Sequence, residues 1–172
     1  STPAPKNLLE KNNINFLKAD LSNPTKILQQ LDGLKIDILI NNAGFYQKKS
    51  FLELSNDDLN YMFSINFFSP LKIIQKVLPN MIKNKYGKII NISSIAALRG
   101  GVNQPHYAAS KASLVNLTKS LALLYSRYGI NSNCICPGLI KTDMVEEELR
   151  SLDETSIKNL IPAGRVGETS EV

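Results

Sequence analysis

The sequence predicts an α/β protein built on a mostly parallel, doubly wound sheet, and three features carry that prediction. Short apolar stretches of strand length alternate with longer stretches of helical periodicity, the order that generates strand–helix–strand crossovers. The run Ile36-Asp37-Ile38-Leu39-Ile40 is nearly continuously apolar, as expected of a strand buried on both faces. A serine pair, Ser93-Ser94, closes another strand pattern, and the following helix opens near Tyr107. Both ends then converge on the crevice where open α/β sheets bind ligands.

Along the chain, Ile14 to Ala19 reads as a strand ending at Asp20-Leu21, and Ser22 to Leu31 as a helix with Pro24 in its first turn. The 36–40 strand runs into Asn41-Asn42-Ala43-Gly44. Ser55-Asn56-Asp57-Asp58 is an N-terminal cap signal for a helix reaching about Ser64. A second helical stretch from Phe67 to Asn84 is expected to be bent or segmented by Pro70 and Pro79. Gly87 to Ile92 forms the next strand, followed by a loop containing Gly100, Gly101 and Pro105. A helix from about His106 to Tyr128 carries Leu114, Leu117, Leu121 and Leu124 at helical spacing and ends near Gly129. Ile130 to Ile135 is the last strand, stopped by Pro137-Gly138.

The 172 residues, 43% hydrophobic and 20% charged, suit one globular domain over 1–172, without repeats or low-complexity tracts. No apolar run approaches the ~18 residues of a membrane span. Ser1-Thr2-Pro3-Ala4-Pro5 has no signal-peptide core, so no membrane association and a cytoplasmic location are expected. The net charge of +5 is modest. Lys48 and Lys49, and Lys83, Lys85 and Lys88, cluster without interleaved aromatics, which favours solvated surface over nucleic-acid binding. Docking of an acidic partner is the weaker alternative. Cys134 and Cys136 alternate along a strand, share a face and cannot readily bridge each other. A metal would need more ligands, so reduced core thiols and no metal are expected.

Tyr107 and Lys111 lie four apart on one helix face, with Ser94 thirteen residues before the tyrosine. A phenol titrates near ~10, too high for easy proton transfer at neutral pH, and a neighbouring ammonium lowers that value. Reaching ~7 takes roughly 4 kcal/mol, so further positive charge is required. An oxidised nicotinamide ring would supply it, and the pair therefore suggests proton transfer coupled to a hydride carrier. Tyr-x-x-x-Lys alone is ordinary helix surface; the serine-ended strand, the loop and the long helix around it single this pair out.

Further segments fall into the same order: Asp20-Leu21, Asn41-Asn42-Ala43-Gly44, Asn66 in Ser64-Ile65-Asn66, and Pro137-Gly138-Leu139-Ile140-Lys141-Thr142. With them the chain resembles the short-chain dehydrogenase/reductases. It is most similar to their 3-oxoacyl-[acyl-carrier-protein] reductases, a likeness to which Ile161-Pro162-Ala163-Gly164-Arg165 adds. The resemblance implies a Rossmann-like fold and a catalytic set of Asn66, Ser94, Tyr107 and Lys111. Tyr107 would be the general acid in reduction and the base in oxidation. Lys111 would lower the phenol's pKa and hold the nicotinamide ribose. Ser94, with Ser93 as the fallback, would hydrogen-bond the substrate oxygen as charge develops. Asn66 would hold a water in a proton relay leading through Lys111; in isolation it reads as a helix-breaking polar residue.

For the cofactor, the resemblance implies Asp20 and Leu21 at the adenine and Asn42 at the adenosine ribose. Ile140 and Thr142 would meet the carboxamide end, with Tyr107 and Lys111 beside the nicotinamide ribose. Read alone, Asp20 is a helix-capping carboxylate and Asn42 is turn chemistry. NADP(H) is expected over NAD(H), through the reductase subgroup only. The implied substrate is a carbonyl compound, small or bound to acyl carrier protein, with a 3-oxoacyl thioester of fatty acid biosynthesis first. The basic residues Lys85 and Arg127 support a carrier-bound substrate, and Phe45, Tyr46, Gln47 and residues 144–160 would shape the pocket. Other alcohols, sugars or steroids are the alternatives, and a non-catalytic dinucleotide sensor or scaffold is the alternative of another class. His106, the one histidine, is assigned to the loop. The 67–84 and 107–128 helices would face symmetry mates in a homodimer or homotetramer.

One departure stands out. No Gly-x-x-x-Gly-x-Gly occurs, so the turn that brings backbone amides to a pyrophosphate is absent, with the family's first two strands and last strand. In the family's order 3-2-1-4-5-6-7, the strands present would be numbers 3, 4, 5 and 6, leaving a gap beside strand 4. The residues are therefore expected to be part of a larger protein that holds the first half of the cofactor site.

Overall fold

Three parallel strands carry the computed structural model, which describes residues 14–172. β1 (Ile38–Asn41), β2 (Gly87–Ile92) and β3 (Ile130–Ile135) lie side by side in chain order. Ile38 pairs with Lys88, and Gly87 with Ile130. The α-helices are α1 (Thr25–Gln30), α2 (Asn56–Phe63), α3 (Ser69–Asn84), α4 (Ala96–Arg99), α5 (Pro105–Tyr125), α6 (Glu146–Arg150) and α7 (Glu154–Leu160). None of them is long and apolar enough to cross a membrane.

Local chemistry fixes the boundaries. Ser55 and Asp58 form a reciprocal capping box that starts α2, the Ser55 N–H donating to the Asp58 carboxylate at 2.9 Å. α2 does not stop at Ser64; it passes through a π-helical turn, Ser64–Phe68, directly into α3. Pro70 falls in the first turn of α3, where no N–H is needed, and Pro79 sits within α3 without ending it. α5 opens on Pro105 and gives way to a 3-10 turn, Ser126–Tyr128, before Gly129. Gly129 has φ +77°, and a Cβ there would stand 2.1 Å from the Lys85 carbonyl oxygen, so only glycine lets the chain enter β3 at this spacing.

The core lies between α3, α5 and one face of the sheet. Ile74, Val77, Leu78 and Met81 of α3 meet Ile89 of β2, Leu121 of α5 and Ile130 of β3. β2 alternates accordingly, with Gly87, Ile89 and Asn91 buried. At a few kcal/mol for each fully buried aliphatic side chain, this cluster is the main apolar contribution to holding helices on strands.

Three expectations need correction. Ile14 to Ala19 is irregular rather than a strand, because no described strand offers its backbone a hydrogen-bonding ladder. β1 is buried on one face only: Ile38 and Ile40 are 55% and 58% exposed, while Asn41 on the other face is 8% exposed. The core helices accordingly pack on one face of the described sheet, which is parallel α/β. His106 belongs to the first turn of α5, since Pro105 before it is a ready-made helix start.

Candidate active site

β2 ends in two serines whose side chains take opposite duties. Ser93 continues the ladder (N–H to the Ile135 carbonyl, 2.8 Å), and its buried hydroxyl donates to the Lys111 carbonyl at 2.9 Å. That bond ties the strand end to α5. Ser94 faces a cleft of about 790 Å³ at the carboxyl ends of the strands. Its hydroxyl accepts the Ala96 N–H at 3.2 Å and lies near enough to the Tyr107 phenol to act on its titration.

Tyr107 and Lys111 project from the first turns of α5 into the same cleft. Burial pushes the Tyr107 phenol above its ordinary pKa, and the Ser94 hydroxyl pulls in the opposite direction. Burial also lowers Lys111, to about 8. The ammonium donates to the Ile92 carbonyl at 2.9 Å and stands 5.9 Å from the centre of the Tyr107 ring. Lysine and tyrosine thus share a low-dielectric wall, but burial dominates the phenol's titration.

Asn66 sits in the π turn, fully buried. Its amide oxygen accepts the Phe45 N–H at 2.7 Å; its amide nitrogen donates to the Phe45 carbonyl at 2.9 Å and to the Ser110 hydroxyl at 3.0 Å. Ser110 in turn donates to the Tyr107 carbonyl at 2.8 Å. Asn66 therefore clamps the loop after β1 against the helix that bears the tyrosine. A Cβ on Gly44 would come within 3.2 Å of Lys111 Nζ and 3.5 Å of Asn66 Oδ1, so the glycine keeps open the space that both groups border.

Asn42, Ile140 and Thr142 also line the cleft, with Pro137 and Gly138. Asp20 and Leu21 do not. The Asp20 carboxylate binds the Ser22 N–H and hydroxyl at 2.9 and 2.8 Å, bonds that hold its pKa down, and the Leu21 carbonyl accepts the Ser69 hydroxyl at 2.5 Å. Tyr46, Met144, Val145, Leu152 and Leu160 line the main cleft, whereas Phe45 and Gln47 border a smaller hollow. His106 is 2% exposed, with neither ring nitrogen bonded among the described residues, and burial lowers its pKa. Both thiols are free and half-buried rather than core, with Cys134 beside Thr118 and Ser93.

Two features escaped sequence reasoning. The Tyr46 ring meets Tyr107 edge to face, 5.1 Å between centres at 90°. Beneath the site, Asn41 donates to Asn91 at 2.8 Å and Asn91 to Thr118 at 2.9 Å, a buried polar ladder from β1 through β2 to α5. A pointer to it was present: Asn41 and Asn91 occupy paired positions just before two turns that were read for function.

A serine, a tyrosine and a lysine gathered at the carboxyl ends of a parallel sheet define the class: an α/β protein whose cleft is lined by Ser94, Tyr107 and Lys111. The chain belongs to the short-chain dehydrogenase family, whose profile matches residues 4–153, and so to a family of NAD(P)-dependent oxidoreductase enzymes. It is 39% identical over 167 residues to a 3-oxoacyl-[acyl-carrier-protein] reductase of Buchnera aphidicola subsp. Baizongia pistaciae, covering 94% of this chain and 68% of that protein. Among solved structures, an Agrobacterium tumefaciens C58 3-oxoacyl (acyl-carrier-protein) reductase with NADP bound superposes with TM-score 0.83 at 28% identity, covering 90% of this chain and 63% of that one. A 4-hydroxyisoleucine dehydrogenase complexed with NADH gives 0.81 at 29% identity, covering 90% and 67%. The chain thus spans roughly two thirds of the length of these proteins.

Proposed function

We propose that the protein reduces a carbonyl to an alcohol with a nicotinamide cofactor, its best substrate being a 3-oxoacyl thioester on acyl carrier protein. The observation that carries this reading is the meeting of Ser94, Tyr107 and Lys111 on one wall of one cleft. The space kept by Gly44 beside Lys111 and Asn66 fits the ribose end of such a cofactor, with Asn42, Ile140 and Thr142 as further holding residues. When bound, the nicotinamide supplies the hydride that reaches the carbonyl carbon.

The chain's own residues handle the oxygen and its proton. Ser94 donates to the substrate oxygen as negative charge develops there. Tyr107 gives that oxygen its proton; burial keeps the phenol protonated, and positive charge beside it must offset that burial for the proton to leave. Lys111, an ammonium below about pH 8, then stabilises the phenolate left behind. Asn66, whose amide oxygen borders the same space as Lys111 Nζ, is assigned the return path of the proton. The cofactor preference we assign is NADP(H), and the location cytoplasmic. We also assign a homodimer or homotetramer joined through α3 and α5, a reading supported by Leu123 and Leu124, exposed at 84% and 55%.

A second reading, another carbonyl or alcohol, is favoured by the apolar outer lining of the cleft and by the likeness to a 4-hydroxyisoleucine dehydrogenase. The test is turnover of acetoacetyl thioester by the complete protein with NADPH and with NADH. NADPH-dependent reduction is the expected result. Preference for a small hydroxy acid or sugar would select the second reading, and folded protein inert toward every carbonyl would overturn both.

A further inference from the structure

Among the described residues, one charged side chain lines the cleft apart from Lys111: Arg99. No described aspartate or glutamate lines it. Lys111 is 4% exposed and bonded to the Ile92 carbonyl, so its charge is committed to the site already described. Arg99 is exposed and has no ion pair among the described residues, whereas Lys49, Arg150, Lys158 and Arg165 each hold a carboxylate. Much of the remaining lining is apolar, supplied by Ile95, Met144, Val145, Leu152, Leu160 and Ile161.

The position of Arg99 is tied to Ser94. The Ser94 carbonyl accepts the Ala97 N–H at 3.0 Å, the Ser94 hydroxyl accepts the Ala96 N–H at 3.2 Å, and the Ile95 carbonyl accepts the Arg99 N–H at 3.1 Å. Gly100, at φ +82°, turns the chain away immediately afterwards. Arg99 thus closes the single turn that Ser94 and Ile95 lead into, and its side chain lines the same cleft as the serine. A guanidinium there can meet a part of the substrate other than the reacting carbonyl.

We propose that Arg99 is the anion-recognition residue of the substrate subsite. It would select carbonyl compounds that carry a carboxylate or a phosphate at the end remote from the carbonyl. The planar fork of a guanidinium suits either anion, since both accept two parallel hydrogen bonds. The inference rests on the carbonyl-reduction reading, and it adds which carbonyl compounds the cleft prefers.

Three thioesters or esters sharing a 3-oxo group test it in the complete protein: the neutral N-acetylcysteamine thioester of acetoacetate, acetoacetyl-4′-phosphopantetheine, and monoethyl 3-oxoadipate. The quantity read is the kcat/KM ratio of each anionic compound to the neutral one. Arg99→Gln is expected to lower that ratio about tenfold, chiefly through KM, between the effect of a screened surface pair and that of a buried bidentate one. Arg99→Lys should keep part of the preference, and added salt should erode it in the wild type. A fall for the phosphate alone assigns the subsite to a pantetheine-type carrier, and a fall for the carboxylate alone to a free diacid. Equal effects on all three substrates would overturn the proposal while leaving carbonyl reduction intact. If no carbonyl turns over, calorimetric binding of 4′-phosphopantetheine and monoethyl adipate to wild type and Arg99→Gln decides the matter independently. Tighter binding by the wild type supports it, and equal binding overturns it.

Discussion

The two walls of the cleft are held together by different physics. On the β2–α5 side, Asn91, Ser93, Ser110, Lys111 and Thr118 are all buried, and each is hydrogen-bonded to a group in another element or in the next turn. On the side formed by residues 139–172, short helices are stapled by exposed local pairs, Glu146–Arg150, Glu154–Lys158 and Arg165–Glu171. A single bridge, Ile140 with Gly167, orders the intervening chain. Buried polar networks are costly to disturb, whereas exposed ion pairs contribute little. The inner wall can therefore hold reacting groups in fixed geometry, while the outer wall can change its lining at low cost to the fold.

The largest expected effect breaks the inner wall at its chemistry. Tyr107→Phe should lower kcat/KM of the complete protein by ~10² to 10⁴ while leaving its melting midpoint nearly unaltered. Turnover close to wild type would remove Tyr107 from the acid's role.

Lys111 sharpens the comparison through pH. Its folded pKa of about 8 lies below the ordinary 10.5, so the folded state disfavours the bound proton. The cost is fully present below about pH 8 and is relieved as pH rises towards 10.5, so this group makes stability increase across that window. Lys111→Met should abolish the increase and stabilise the protein at neutral pH by about 2 kcal/mol, the burial cost less the bond to the Ile92 carbonyl. Urea melts on either side of pH 8 measure it, and an undiminished rise in the variant would contradict it. Activity should fall in the same variant, so catalysis and stability move in opposite directions at one residue.

Asn66→Ala should destabilise by about 2 to 3 kcal/mol, because it leaves the Phe45 N–H and carbonyl without their partners. A denaturant midpoint close to wild type would show that the loop after β1 is held by something else. The smallest effect belongs to the outer wall: Lys158→Gln should leave the midpoint within error, and a clear loss would show that wall to be more cooperative than its exposed pairs suggest.

How much of this was legible from sequence differs between centre and edge. β2 and β3 have the bounds that their apolar patterns indicate, because β2 finds parallel partners on both sides within the chain and β3 finds its own in β2. Ile14 to Ala19 has an equally strong pattern but no described ladder to join, and pattern alone does not make a strand. The spacing of Ser94, Tyr107 and Lys111 is set by a strand end and a helix start, both rigid markers, and all three line one cleft. Asp20 and Leu21 rested on resemblance, and they lie away from that cleft. Tyr46 was readable only as a pocket residue: its ring reaches Tyr107 from a loop, and no local periodicity encodes that contact.

The π turn between α2 and α3 has a consequence for what the gene can tolerate. A π turn holds about one residue more per turn than an α turn, so its five residues sweep nearly the angle of four α-helical ones. Deleting one residue between 64 and 68 would therefore restore ordinary winding and leave α2 and α3 nearly in phase, while removing the bulge that carries Asn66 to Phe45 and Ser110. The turn is a one-residue insertion whose loss would cost the site its clamp and leave both helices well formed.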